Sequence, residues 1–229
     1  MIKAVIFDMY ETLITHYHEQ GPLYFSKEMS EDARIPLERF QAIWRGTEKE
    51  RSTGLLSLEG VIERILKENN CYSEEVFQTI IHKRILIAEN PYSHLHPEIL
   101  PMLTKLKENG LKIGLISNCF SEEAEVIRRS SIFPYFDAVC LSYELGVQKP
   151  DAKIFEKCVE MLQVKPEECI YIGDGGSNEL EASKAFGMTA MQATWYLKEG
   201  TFQPSKRKAE FVQLEKPLDV INMIKLGNE

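Results

Sequence analysis

Lys3-Ala-Val-Ile-Phe7, followed at once by Asp8, is a short apolar run rich in branched side chains. It shows no polar alternation, so it reads as a strand buried on both faces. A strand of that kind belongs in a parallel sheet covered by helices. The same grammar returns after Pro91. A helix over about Glu98–Asn109 stops at Gly110, and the strand Lys112-Ile-Gly-Leu-Ile-Ser117 follows. A helix over about 121–130 leads to the strand Ala138-Val-Cys-Leu-Ser142. A helix over about 152–162 leads to Cys169-Ile-Tyr-Ile-Gly173. A helix over about 178–186, closed by Gly187, leads to a further strand, Thr189–Ala193. Strands alternating with helices predict an α/β fold: a three-layer, Rossmann-like parallel sheet with helices on both faces.

The stretch between the first strand and this alternation has a different texture. It is charged, and its apolar residues recur at helical spacing, as in Leu37, Phe40, Ile43 and Trp44, or Val61, Ile62, Ile65 and Leu66. About four helices fit, with breaks at Pro22, Pro36, Gly54 and Gly60. The predicted organisation is therefore an α/β core from residues 1–14 and 91–229, with a helical insert at 15–90.

With 229 residues, the chain is long enough to bury about 70–75% of its unfolded surface without disulfides or a structural metal. Its 44% hydrophobic and 27% charged residues are those of an ordinary globular protein. Lys and Arg number 27 against 35 Asp and Glu, a net charge of −8, which repels nucleic acid and anionic lipid. An anionic substrate would need a local cation. No apolar run is long enough to span a bilayer. The five cysteines are scattered, with no CxxC pair, which argues against a zinc ribbon. An odd number of thiols with no leader pattern points to the cytoplasm.

Ligands of open α/β sheets bind outside the carboxyl ends of the strands. Here those ends carry Asp8, then Ser117-Asn118, then Gln148-Lys149-Pro150, then Gly173-Asp174-Gly175-Gly176-Ser177-Asn178-Glu179. Two close carboxylates repel unless a cation intervenes. Lys149 is one such cation and Mg2+ the natural second, because it takes oxygen ligands and keeps waters that a phosphate replaces. An ionised Asp8 held this way is able to attack phosphorus in line, and Ser117 to bind the transferring oxygens.

These four motifs, in this order and with a helical insert after the first, resemble the haloacid dehalogenase-like hydrolase superfamily. The first motif is Asp8-Met9-Tyr10-Glu11-Thr12-Leu13, and the resemblance covers essentially the whole chain. It implies Asp8 as nucleophile, Thr12 and Ser117 as phosphate contacts, Asn118 as orienting group and Lys149 as charge stabiliser. It also implies a Mg2+ site from Asp8, the Tyr10 carbonyl and Asp174, with Asn178 or Glu179 in its outer sphere. The insert takes the place of a cap that closes over a small anionic substrate. Within Trp44–Arg51, Arg45 is the preferred substrate contact.

Two positions depart from the family's phosphatases. They carry a second aspartate two residues after the nucleophile, which protonates the leaving group and then activates water. Here Tyr10 stands there, as in members that break carbon–halogen bonds. Tyrosine ionises near pH 10, so it is a poor base at neutral pH, and losing a positioned acid–base group costs about 10²–10⁴ in rate. Glu11 replaces a common glycine and is the alternative acid; both side chains are candidate substrate contacts. Asp174 argues the other way, because dehalogenases of that type need no metal and lack the Gly-Asp pair. Magnesium-dependent phosphate hydrolysis is the leading reading. Metal-free dehalogenation and a non-catalytic binding protein are the alternatives. The pairs His16/His18 and His94/His96, Cys119, and the run Lys206-Arg207-Lys208 read as loop polar groups, a small packing residue and a solvated loop.

Overall fold

The computed structural model describes residues 1–16, 24–197 and 205–226. Strand β1 (Ala4–Phe7) leads into a helical segment: α1 (Ser26–Asp32), α2 (Leu37–Gly46), α3 (Glu48–Ser52), α4 (Leu58–Glu68) and α5 (Glu74–Glu89). The alternating part follows as α6 (Ile99–Glu108), β2 (Lys112–Ser117), α7 (Ser121–Arg129), β3 (Ala138–Leu141), α8 (Ser142–Leu145), α9 (Ala152–Leu162), β4 (Cys169–Gly173), α10 (Glu179–Ala185), β5 (Thr189–Ala193), β6 (Val212–Leu214) and α11 (Asp219–Leu226).

All neighbouring strands pair in parallel, in the order β3-β2-β1-β4-β5-β6. The chain winds outward from β1 through β2 and β3, returns to place β4 on the other side of β1, and winds outward again. The order therefore reverses between β1 and β4, where a crevice opens beyond the strand ends. Asp8 and Asp174 stand at the two lips of that crevice, since Phe7 pairs with Ile172 and the Asp8 N–H donates to the Ile172 carbonyl at 2.9 Å.

The sheet is buried on both faces, as the apolar runs predict. Val5, Phe7 and Leu115 pack against α6, α7 and α11 through Met102, Leu106, Ile127 and Ile224. Ala4, Ile6 and Tyr171 pack against α9 and α10 through Phe155, Cys158 and Leu180. Local chemistry sets the helix ends. Ser57, Ser73 and Asp151 each accept a backbone N–H in the first turn of α4, α5 and α9. Gly110 takes a φ of +72° just past α6, which a side chain would strain.

Helices α1, α2, α4 and α5 share a hydrophobic cluster of their own, built from Met29, Phe40, Ile62, Ile65, Leu66 and Ile80. Polar contacts tie this segment to the core. The Arg84 guanidinium pairs with Glu122 at 2.8 Å, the Leu58 N–H donates to Ser121 Oγ at 2.8 Å, and Ser52 Oγ bonds Gln148 Oε1 at 2.5 Å.

The structure adds α8, β6 and α11 to the elements read from sequence. Helix α8 has four residues and β6 three, too few to show a period. The run Lys206-Arg207-Lys208 is a loop with Lys206 and Arg207 exposed, as read from the sequence. It is built onto the sheet edge, with Arg207 on Glu215 and Gln213, Lys208 on Glu181, and the Lys206 carbonyl on Gln192. No helix among the described residues is long and apolar enough to cross a membrane.

Candidate active site

The polar strand ends converge as their spacing predicts. One carboxylate oxygen from each of Asp8, Asp174 and Glu179 lies within 4.8 Å of the others, and all three side chains are buried. Lys149 is also buried, at 3% exposure. Its ammonium donates to Asp8 Oδ1 at 2.5 Å, to Glu179 Oε2, and to the Tyr171 hydroxyl at 3.2 Å. The Tyr171 hydroxyl in turn donates to Glu179 Oε2 at 2.9 Å.

Asn118 explains how a loop lysine is held so firmly. Its Oδ1 accepts the Lys149 N–H at 2.8 Å, and its Nδ2 donates to the Lys149 carbonyl at 3.0 Å. Both ends of the amide thus clamp one backbone unit, a task beyond the substrate-orienting role read from sequence. Asp174 is fixed by the Gly176 N–H on Oδ1 at 2.9 Å and by the Ser205 hydroxyl on Oδ2. Gln192 holds the carbonyl of Asp174 at 2.8 Å.

The electrostatics follow from burial. Three clustered carboxylates share one ammonium, which contacts Asp8 and Glu179. If all ionise, two negative charges are left over, the charge of one divalent cation. Without such an ion, removal from water pushes the Asp8 carboxyl above its ordinary range, against the opposing pull of Lys149. Burial does the same to Glu179, with Asp8 adding to the rise. Lys149 stays charged, because its two carboxylates outweigh its own desolvation. The donor set is all oxygen, carries the complementary charge and is pre-packed. It fits Mg2+, which takes oxygen ligands.

The other sequence-derived candidates divide. Ser117 is fully buried at the end of β2, with its hydroxyl on the Asn118 carbonyl at 3.4 Å. Thr12 is fully buried, and its Oγ1 has no hydrogen-bond partner among the described residues. Arg45 and Asn178 are exposed and line a cleft of about 650 Å³ between helical segment and core, together with Asn118, Lys149 and Ser177.

Tyr10 stacks on His16 with ring centroids 4.5 Å apart, and burial raises its phenol well above the ordinary value. Burial thus favours its protonated form. Glu11 sits at a φ of +55° and turns its carboxylate onto its own loop. Oε2 accepts the Thr15 hydroxyl at 2.7 Å and Oε1 the His16 N–H at 2.9 Å. Cys119 is packed at 2% exposure, as expected of a small core residue. His94 and His96 make loop hydrogen bonds to the Asn90 carbonyl and the Glu98 N–H. His18 lies outside the described residues.

Tyr171 is the site residue that the sequence reading passed over. It lies inside an apolar strand, but a buried phenol needs a polar partner, and that was the available signal. Gly173 is a second. A Cβ there would stand 2.0 Å from Glu179 Oε1. Gly173→Ala is expected to cost about 1–3 kcal/mol by overpacking and to lower activity by displacing Glu179. Thermal unfolding alongside a rate assay checks this, and wild-type values for both would refute the close packing.

Residues 2–187 match the family described as haloacid dehalogenase-like hydrolase. The chain belongs to this family. A glyceraldehyde 3-phosphate phosphatase from Methanopyrus kandleri is 25% identical, over 98% of each chain. A phosphoglycolate phosphatase from Aquifex aeolicus is 28% identical, over 73% of this chain and 75% of its own. The solved structure of a 2-haloacid dehalogenase from Pseudomonas syringae pv. Tomato superposes with a TM-score of 0.71 at 18% identity, over 99% of this chain and 100% of that one. This haloacid dehalogenase-like chain is therefore a hydrolase, with the parallel-sheet fold its strand ends announced.

Proposed function

We propose that the protein is a magnesium-dependent phosphatase of a small anionic substrate, acting through an Asp8 aspartyl-phosphate. The observation that carries this reading is the charge of the buried cluster. Three clustered carboxylates with one lysine among them, paired to Asp8 and Glu179, call for a divalent ion, and a metal-free haloacid dehalogenase has no use for the additional acid Asp174. The names of the two curated relatives agree with phosphate chemistry.

In this reading Asp8 and Asp174 hold Mg2+, with the Tyr10 carbonyl joining them and Asn178 or Glu179 beyond. The bound ion supplies charge neutralisation for a phosphoryl group beside an ionised nucleophile. Asp8 attacks phosphorus and the bond to the leaving oxygen breaks. Water then attacks the phosphoryl phosphorus, releasing phosphate and restoring the carboxylate. Lys149 keeps Asp8 ionised, while Thr12 Oγ1 and Ser117 offer hydroxyls to the phosphoryl oxygens. Residues 15–90 act as a cap over the nucleophile, and Arg45 reaches the substrate across the cleft.

Tyr10 gives the second reading, metal-free dehalogenation, its one specific support. Because Tyr10 stands where the family's phosphatases carry the acid–base aspartate and the Glu11 carboxylate is bonded within its own loop, no carboxyl is placed to protonate the leaving oxygen, and phosphate esters with good leaving groups are the preferred substrates. Assays of phosphate esters and 2-haloacids, first with magnesium and then with chelator, separate the readings. Phosphate release is expected to need magnesium and to vanish with chelator. Asp174→Asn is expected to raise the magnesium requirement by at least ~10-fold. Halide release that survives chelation would establish the dehalogenase instead.

A further inference from the structure

Tyr171 is fully buried inside β4, where it pairs with Ile6 of β1 on one side and Ala190 of β5 on the other. Its ring packs edge-on to Phe155 of α9, with centroids 5.6 Å apart and planes at 66°. Such a position suits a phenylalanine, because a hydroxyl taken from water costs free energy unless it is bonded. Here the hydroxyl is bonded, and to charged groups of the site. It accepts from the Lys149 ammonium at 3.2 Å and donates to Glu179 Oε2 at 2.9 Å.

An ammonium has three N–H donors. Lys149 directs them at Asp8 Oδ1 at 2.5 Å, at Glu179 Oε2 and at the Tyr171 hydroxyl. Three acceptors from separate elements fix where the ammonium lies. Glu179 is held from both ends, since its Oε1 accepts the Gly175 N–H at 3.4 Å. Gly173 makes room for this meeting. It shares a face of β4 with Tyr171, two residues away. A Cβ on Gly173 would stand 2.0 Å from Glu179 Oε1 and 3.2 Å from Tyr171 Cε1. Lys149, Glu179 and Tyr171 thus close a ring in which each touches the other two.

We propose that Tyr171 is a positioning residue, whose hydroxyl keeps the Lys149 ammonium beside Asp8 while the charge of Asp8 changes during the reaction. A free Asp8 carboxylate attracts Lys149. Once an Asp8 oxygen carries the phosphoryl group, that carboxyl has lost its charge. The other carboxylate partner, Glu179, then pulls the ammonium away on its flexible stem. A bond to a neutral hydroxyl does not depend on the charge of Asp8, and the same hydroxyl occupies Glu179 Oε2. Lys149 therefore stays in place for the return step. In that step water attacks phosphorus, the bond to Asp8 breaks, and the ammonium stabilises the carboxylate that reappears. This assignment rests on the phosphatase reading and adds a residue to it.

Tyr171→Phe removes the hydroxyl alone. The magnesium-loaded protein is pulsed with a labelled phosphate ester that has a good leaving group, then chased with unlabelled ester. Loss of label from the protein is expected to be about 10–100-fold slower than in wild type, the size expected when a hydrogen bond to a charged group is lost. Formation of the label should be slowed less. Leu162→Ala is the control for stability. Leu162 belongs to the same hydrophobic cluster, and its truncation should lower the unfolding temperature while leaving the decay of label unchanged. Wild-type decay in Tyr171→Phe, or formation slowed as much as decay, overturns the assignment and leaves the phosphatase standing. If the wild type takes no label from any phosphate ester, the phosphatase reading fails and takes this assignment with it.

Discussion

Asp8→Asn is expected to lower turnover by at least ~10⁴, with the fold intact. The amide is nearly isosteric, so packing changes little, but it cannot form the phosphoryl ester on which both halves of the reaction depend. It also takes a charge from the cluster of Asp8, Asp174 and Glu179 and weakens its demand for a divalent ion. The loss should therefore appear in kcat, and magnesium should protect this variant less against thermal unfolding than it protects the wild type. Single-turnover quench with labelled substrate is the direct check. Wild-type protein should carry acid-stable, hydroxylamine-sensitive label, and Asp8→Asn none. Label persisting in the variant would place the nucleophile elsewhere.

Lys149→Met is expected to damage stability as well as rate. The substitution leaves Asp8 and Glu179 buried side by side with no counter-cation, and breaking a buried pair in this way costs about 3–5 kcal/mol. The pH dependence has a definite sign. Both carboxyls are raised by burial in the folded state. Stability they support is thus fully present below their unfolded values, near 4, and is lost as pH rises through the raised folded values. Lys149 opposes that loss, because it remains charged well past neutrality. Without it both carboxyls rise further, so the variant should be close to wild type at pH 5 and much weaker at pH 8. Urea unfolding in chelator at the two pH values measures this. Adding Glu179→Gln removes one stranded charge and should restore part of the deficit at pH 8. Equal stability of Lys149→Met and wild type at pH 8 would mean that the three groups do not share one buried network.

The acid–base question left by Tyr10 narrows for a physical reason. A phenol raised above its ordinary value by burial holds its proton, and a carboxylate that accepts from Thr15 and the His16 N–H is already spoken for. Neither fact is visible in the order of residues, because both depend on which way the loop after β1 folds back.

Periodicity and strand ends determined the architecture. The apolar runs at 4–7, 112–117 and 169–173 have no polar alternation, and only a sheet covered on both faces accommodates them. Polar groups at the ends of parallel strands must share one rim, so Asp8, Ser117, Lys149 and Asp174 were legible as a set. What tertiary structure alone decided is which of them touch, and at what charge. Tyr171 and Glu179 meet Lys149 because β4 lies beside β1. Asn118 is a clamp because the loop after α8 returns across β2. Arg51 is a buried cation against an aromatic ring because α3 comes to rest against Phe120 of the core. Those contacts join residues far apart in the chain, and desolvation, which sets their charge states, exists only once the surfaces that exclude water have come together.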